Sequence, residues 1–200
     1  ISFKKPPKFR TDEIALNYEQ VETIYNHDFT KNKRLERVRD LFVFGCTTGM
    51  RYGNYSTISK SDIDGDFIRV IDLKSKSKNL AIPLNSISKS ILEKYDYNLP
   101  NITNQKMNEY IKEVFQELEF TDEIKKTMKY GDELVEMKSE FWERISSHTA
   151  RRSFITIMKN KRVPDKVIMS YTGHTSLEVF NAYYRPSEED KVNYMNEVFK

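Results

Sequence analysis

His148, in the stretch "SSHTARRSF", is one of only three histidines in the 200 residues, and Arg151 and Arg152 follow it by three and four positions. On an α-helix those offsets share neighbouring surface one turn apart, so an imidazole and two guanidiniums gather in one place. Such a cluster suits an anion. Three other stretches set basic or nucleophilic residues in constrained surroundings: Arg51 in "TTGMRYGNYSTI", the lysines of "LKSKSKNLAIPL", and His174, Tyr183 and Tyr184 in "TGHTSLEVFNAYY". Each alone has a structural reading. Arg51 could follow a turn at the surface, the lysines could form a solvated hairpin tip, and His148 could be satisfied by Ser146 or Ser147. His27, His148 and His174 lack metal-ligand spacing and have no cysteine partners.

The elements that must position these residues read as mostly helical. Apolar residues at Val21, Ile24 and Tyr25, then at Leu35, Val38, Leu41, Phe42 and Phe44, follow helical spacing, and the second run closes at the glycine of "TTGMR". Small residues recur at Gly45, Gly49 and Gly53, which favours close helix packing. Between Asp62 and Leu84, β-branched residues flank a Lys/Ser-rich tip, the pattern of a strand, turn and strand. Helical patterns return in "SISKSILEKYDY" and "QKMNEYIKEVFQELEF", and "IKKTMKYGDELVEMKSEFWERI" allows a second hairpin around Gly131 and Asp132. From Ser147 onward helices dominate, separated by Pro164 and the "TGH" turn. The fold class expected is mainly α with a small antiparallel β-sheet.

Composition excludes several function classes. The length suits one domain with a real core. Lys+Arg 33 against Asp+Glu 30 leaves a net charge of +3, too small to mark a nucleic-acid binder by itself. No stretch reaches the roughly 18 apolar residues of a membrane span, and "ISFKKPPKFR" lacks the apolar centre of a signal peptide. The single Cys46 excludes an internal disulfide, consistent with a reducing cytoplasm. No GxxxxGK is present to cradle a nucleotide phosphate. Residues 1–10 read as a linker, as if cut from a longer chain.

In order along the chain stand TG-hydrophobic-R at Arg51, a Lys-tipped hairpin ending "IPL", H-x-x-R at His148 and Arg151, G-H at His174, and Tyr183 nine residues later. This series resembles the catalytic domain of the tyrosine recombinases, the phage-integrase family, from about Thr11 to the end. The resemblance implies that Arg51 and Arg151 grip a scissile DNA phosphate, that His148 and His174 line the same pocket, and that Tyr183 is the nucleophile. Tyr184 would lie one position too far. Counting forward from "IRVIDL" favours Lys74 as general acid, while counting back from "IPL" falls on Ser75, between Lys74 and Lys76. One departure is Asn54, three residues after Arg51, where family members usually carry a carboxylate.

The same resemblance implies a double-stranded DNA substrate, assembly into a tetramer on DNA, accessory DNA-bending proteins, a preceding DNA-binding region, and no metal or other cofactor. Arg34, Lys76, Lys78 and Arg152 are the expected phosphate contacts outside the chemistry, holding a duplex without reading its sequence. Residues 11–200 would form the catalytic domain. Residues 185–200 would form a tail helix that either caps its own core or docks on a neighbouring protomer.

Overall fold

The computed structural model describes residues 14–71, 79–130, 133–184, 186 and 188–199. Its centre is the helix α2, Lys33–Thr48, in which Leu41, Phe42, Val43 and Phe44 are all 0% exposed. Four consecutive buried residues cannot lie on one stripe, so α2 is surrounded on every side. Around it pack α1 (Tyr18–Asn26), α4 (Ser86–Lys94), α5 (Asn104–Glu117) and α6 (Ser147–Asn160). Asn32 starts α2 by accepting from Leu35 N–H. Gly49 ends it in the left-handed region at φ 68°, the glycine stop expected from "TTGMR". Arg51 then precedes the short α3, Tyr52–Tyr55.

The glycine run is used in part. A Cβ on Gly45 would come within 3.0 Å of Ala150 in α6 and of Tyr55 in α3, so this position sets a close helix approach. At Gly53 a Cβ would meet nothing within 4 Å, and no packing reason attaches to that glycine.

Charges inside α2 tie three helices together. Arg39 donates through Nη1 to the carbonyls of Ile24, Tyr25 and His27, closing the end of α1, and through Nε to Asp40 at 2.6 Å. Asp40, 1% exposed, also accepts from Lys94 Nζ and Tyr95 Oη at the end of α4, both at 2.7 Å. Lys33 and Lys94 bond the Glu36 carboxylate and hold its pKa below the ordinary carboxylate range. Burial, and then Asp40, push the Tyr95 phenol upward.

The expected hairpin is present as β2 (Phe67–Ile71) and β3 (Asn79–Pro83), with a short β1 (Ile63–Asp64) added at the edge in the order β1-β2-β3, all antiparallel. Ile68 pairs with Ile82, and both face the core, while their neighbours Arg69 and Ala81 point out, as alternation requires. Asn85 Nδ2 donates to the Thr47 carbonyl at 2.8 Å, which fixes the sheet's exit against the end of α2. The tip, residues 72–78 with Lys74, Lys76 and Lys78, lies outside the described residues. A second antiparallel pair, β4 (Glu123–Tyr130) with β5 (Glu133–Glu140), confirms the other possible hairpin, so two small sheets stand where one was expected. Its expected turn, Gly131 and Asp132, also lies outside the described residues.

Beyond α6, α7 (Asp165–Thr172) and α8 (Leu177–Asn181) enclose a smaller core of Phe154, Ile155, Ile168 and Phe180. The last helix, α9 (Glu188–Val198), returns to the end of α6, where Asn160 bonds Asp190 and Arg162 pairs with Glu197. Val192, Met195, Val198 and Phe199 remain exposed along this segment.

Asp40→Ala leaves Arg39 and Lys94 beside an apolar methyl, and removing one partner of a buried ion pair costs about 3–5 kcal/mol. Urea unfolding at neutral pH is expected to show that loss; a change under about 1 kcal/mol would mean that water already carries these charges. The Glu36 contribution has the sign of a depressed carboxylate. It is complete above the unfolded pKa of about 4.3 and is lost as the pH falls through the lower folded value.

Candidate active site

Arg151 is the largest side chain that is fully buried, at 1% exposure. It sits in the first turns of α6, whose Ser146 cap and Thr149 exchange hydrogen bonds. From there its guanidinium bridges the two ends of the site. Nη1 donates to the Gly49 carbonyl at 2.8 Å, and Nη2 to the Thr172 carbonyl at 2.5 Å. Both carbonyls belong to helix ends, where such groups lack intrahelical partners. These acceptors orient the guanidinium without cancelling its charge.

The same Nη2 lies 3.2 Å from His174 Nε2. The Thr172 hydroxyl spends its hydrogen on the Ile168 carbonyl at 2.8 Å, so toward His174 Nδ1, also at 2.8 Å, it can only accept. Arg151 Nη2 also lies 3.3 Å from Nδ1, so the imidazole is packed between the Thr172 hydroxyl and the guanidinium. Gly173 makes this possible: its φ of 69° turns the chain so that Thr172 and His174 meet.

Tyr183 stands in the middle of this group. Its ring centroid is 5.2 Å from that of His148 and 4.9 Å from that of His174. The Arg151 and Arg152 guanidinium carbons lie 5.8 and 5.3 Å from the same ring. Arg152 also donates to the Ala182 carbonyl at 3.3 Å, immediately before Tyr183. Tyr184 is turned elsewhere. Its hydroxyl donates to Asn160 at 2.9 Å, and burial with Tyr194 beside it raises its pKa.

Arg51 joins from the other side. A pocket of about 350 Å³ is lined by Arg51, Tyr52, Asn104, Ser147, His148 and Arg151, among others. Tyr52 is poorly suited to attack: its hydroxyl donates to the Ile102 carbonyl, and burial pushes its pKa up to about 12. Asn54, the departure from the acidic pattern, is buried one turn beyond Arg51 and lines a separate cavity of about 630 Å³ between α3 and the root of the hairpin.

Of the expected residues, Arg51, His148, Arg151, His174 and Tyr183 converge, and β3, which leads out of the lysine hairpin, packs against α7 beside His174. Arg34 does not join them. It starts α2, some 22 Å from Gly49 at 1.5 Å per residue, and is held by Glu113 at 2.9 and 2.5 Å and stacked on Tyr110. Arg152, expected on DNA, is engaged with the tyrosine segment. Sequence spacing offers no sign of Thr172, or of the Gly49 carbonyl, as partners of Arg151. Among the described residues no group of three or more His, Cys, Asp or Glu could hold a metal ion, and no helix is long and apolar enough to cross a membrane.

Residues 15–190 match the model of the phage integrase family. The chain belongs to that family. Its fold is shared with several solved structures. The XerA recombinase is 14% identical, with 96% of this chain and 66% of that one covered at a TM-score of 0.66. The XerH site-specific recombinase bound to palindromic difH substrate is 16% identical, with 100% and 56% covered at 0.68. A lambda integrase dimer bound to a COC′ core site is 16% identical, with 89% and 60% covered at 0.61. At such identities the likeness shows the fold alone, mainly helical with small antiparallel sheets. The phage-integrase chain thus spans 56 to 66% of the length of these structures. No curated protein matches it.

Gly49 carries two duties, a left-handed backbone and the carbonyl that holds Arg151. A Cβ there would also meet the Phe154 ring at 2.3 Å. Gly49→Ala is expected to destabilise the fold by at least about 2 kcal/mol, from positive φ and overpacking together. Thermal denaturation measures it; an unchanged melting temperature would contradict the assigned packing of α2 on α6.

Proposed function

We propose that this chain is the catalytic domain of a site-specific DNA recombinase, of integrase or transposase type, that cleaves and rejoins strands through a 3′-phosphotyrosyl link on Tyr183. The observation that carries the reading is the Tyr183 ring set among His148, His174, Arg151 and Arg152. Attack by a phenol requires that its proton be taken up, and the imidazole beside the Tyr183 ring is placed to accept it.

In this reading the scissile phosphate occupies the pocket shared by Arg51, His148 and Arg151. Two guanidiniums present permanent, planar donors to the non-bridging oxygens, where charge builds up during attack. One such donor contributes about 3–4 kcal/mol by analogy with an oxyanion hole. Tyr183 Oη forms the new bond to phosphorus as its proton passes to His148, and the bond from phosphorus to the 5′ oxygen breaks. The 5′ oxygen takes a proton from the hairpin lysine, Lys74 in preference to Lys76. Rejoining reverses each transfer, and the bond energy stays in the protein–DNA link, so the scheme calls for neither ATP nor a metal.

Double-stranded DNA as the substrate is supported by the family and by the DNA-bound state of the XerH and lambda integrase structures. Residues 11–200 are the catalytic domain in this proposal, with 1–10 as a linker to a DNA-binding region. The exposed Val192, Met195 and Phe199 on a helix held to its own α6 by polar bonds favour a tail that docks on a neighbouring protomer in a tetramer. Asn54, an amide where a carboxylate is usual, favours a second reading, a DNA-binding module without turnover.

The test is to incubate the protein with nicked duplexes of randomised sequence, recover adducts that survive denaturation, and map the linked residue by mass spectrometry. The DNA is expected on Tyr183, to vanish in Tyr183→Phe and to persist in Tyr184→Phe. Linkage to Tyr184 would refute the assignment, and duplexes retained without any covalent adduct would favour the binding module.

A further inference from the structure

The first turn of α6 must hold the exposed His148 against the pocket, and a restraint on that turn reaches it through the preceding Ser147. The restraint comes from α5. Ser147 N–H, one of the helix-start donors that lack an intrahelical partner, donates to Asn108 Oδ1 at 2.7 Å. Ser147 Oγ donates to Asn104 Oδ1 at 2.8 Å. Asn104 and Asn108 are four residues apart, on one face of α5. On the adjoining face Met107 and Ile111 are 0% exposed, which roots α5 in the core beside α2. Two amides on a helix anchored in the core by its adjoining face therefore grip the residue immediately before His148.

Asn104 also lines the pocket that contains Arg51, His148 and Arg151. Because its Oδ1 is engaged by Ser147, the polar atoms it can present to a pocket occupant are the two amide hydrogens on Nδ2. Those are neutral donors, suited to an oxygen of a phosphodiester already gripped by two cations.

Resting on the phosphate-pocket reading above, we propose that Asn104 and Asn108 position the first turn of α6, and hence His148, and that the Asn104 amide donates a hydrogen bond to the bound phosphate. Asn108 acts through Ser147 and is a positioning residue. Asn104 does both, touching the substrate and holding the helix.

Inorganic phosphate is the probe, and the His148 ring signal in NMR is the readout at fixed pH, one of only three histidine signals to assign. Asn104→Asp keeps the acceptor for Ser147 but replaces the donor with a negative charge. It is expected to weaken phosphate binding at least about tenfold, the lower end for a hydrogen bond to a charged group. Asn108→Ala is expected to shift or broaden the His148 signal before any phosphate is added. Phosphate binding by Asn104→Asp equal to that of the unaltered protein would overturn the donor role, and an unmoved His148 signal in Asn108→Ala would overturn the positioning role. Should Asn108→Ala melt far below the unaltered protein, Asn108→Ser, which retains an oxygen acceptor, decides by whether the signal returns. Failure of phosphate to perturb His148 in the unaltered protein would instead reject the phosphate pocket itself, and this proposal with it.

Discussion

A permanently charged guanidinium buried at the junction of three segments is the constraint around which the rest of the chain is arranged. Arg151 cannot shed its proton, so its burial is tolerable only where fixed acceptors surround it. The fold brings two helix ends to that point, one from α2 through Gly49 and one from α7 through Thr172. These carbonyls carry the partial negative charge of helix C-termini, which makes them favourable partners for a cation. The requirement explains two of the left-handed glycines, since Gly49 and Gly173 stop their helices where Arg151 can reach them. It also explains why α2 is the most enclosed helix. A site assembled from α2, α6 and α7 needs a rigid element to which the other two are referred.

The two tyrosines show how small geometric differences sort similar side chains. Tyr183 and Tyr184 are adjacent, yet the short α8 and the bond from Arg152 to the Ala182 carbonyl send one ring toward the histidines and the other toward Asn160. Tyr184 is burdened further by burial and by its neighbour Tyr194. Arg152 thus shapes the path of the segment that carries Tyr183. The positive charge of the site is borne by residues that converge in space, which is why a modest net charge of +3 says little about it.

Much of this was legible in the residue string, and the reasons are local. His148 and Arg151 lie one turn apart on a helix, and the usual nine-residue gap of the family the chain resembles points from His174 to Tyr183, whose ring does lie beside both histidines. The glycine stop of α2 and the hairpin from Phe67 to Pro83 announce themselves by turn chemistry and alternation. What could not be read was long-range. Arg34 looks like a free basic residue until Glu113, 79 positions away, is seen to hold it. The grip of Asn104 and Asn108 on Ser147 joins residues about forty positions apart and has no periodic signature. Thr172, inconspicuous in "YTGH", joins the site only because α7 ends beside α6, where its carbonyl accepts from Arg151, 21 positions away in sequence.

The account stands on convergence around one phosphorus atom, and a structure of the protein with nicked duplex DNA and vanadate, which mimics a five-coordinate phosphorus, tests it most directly. The vanadium is expected bonded to Tyr183 Oη, with Arg51 and Arg151 nitrogens within about 2.7–3.2 Å of its equatorial oxygens. Vanadate bound by one arginine alone, or away from the Tyr183 hydroxyl, would contradict it.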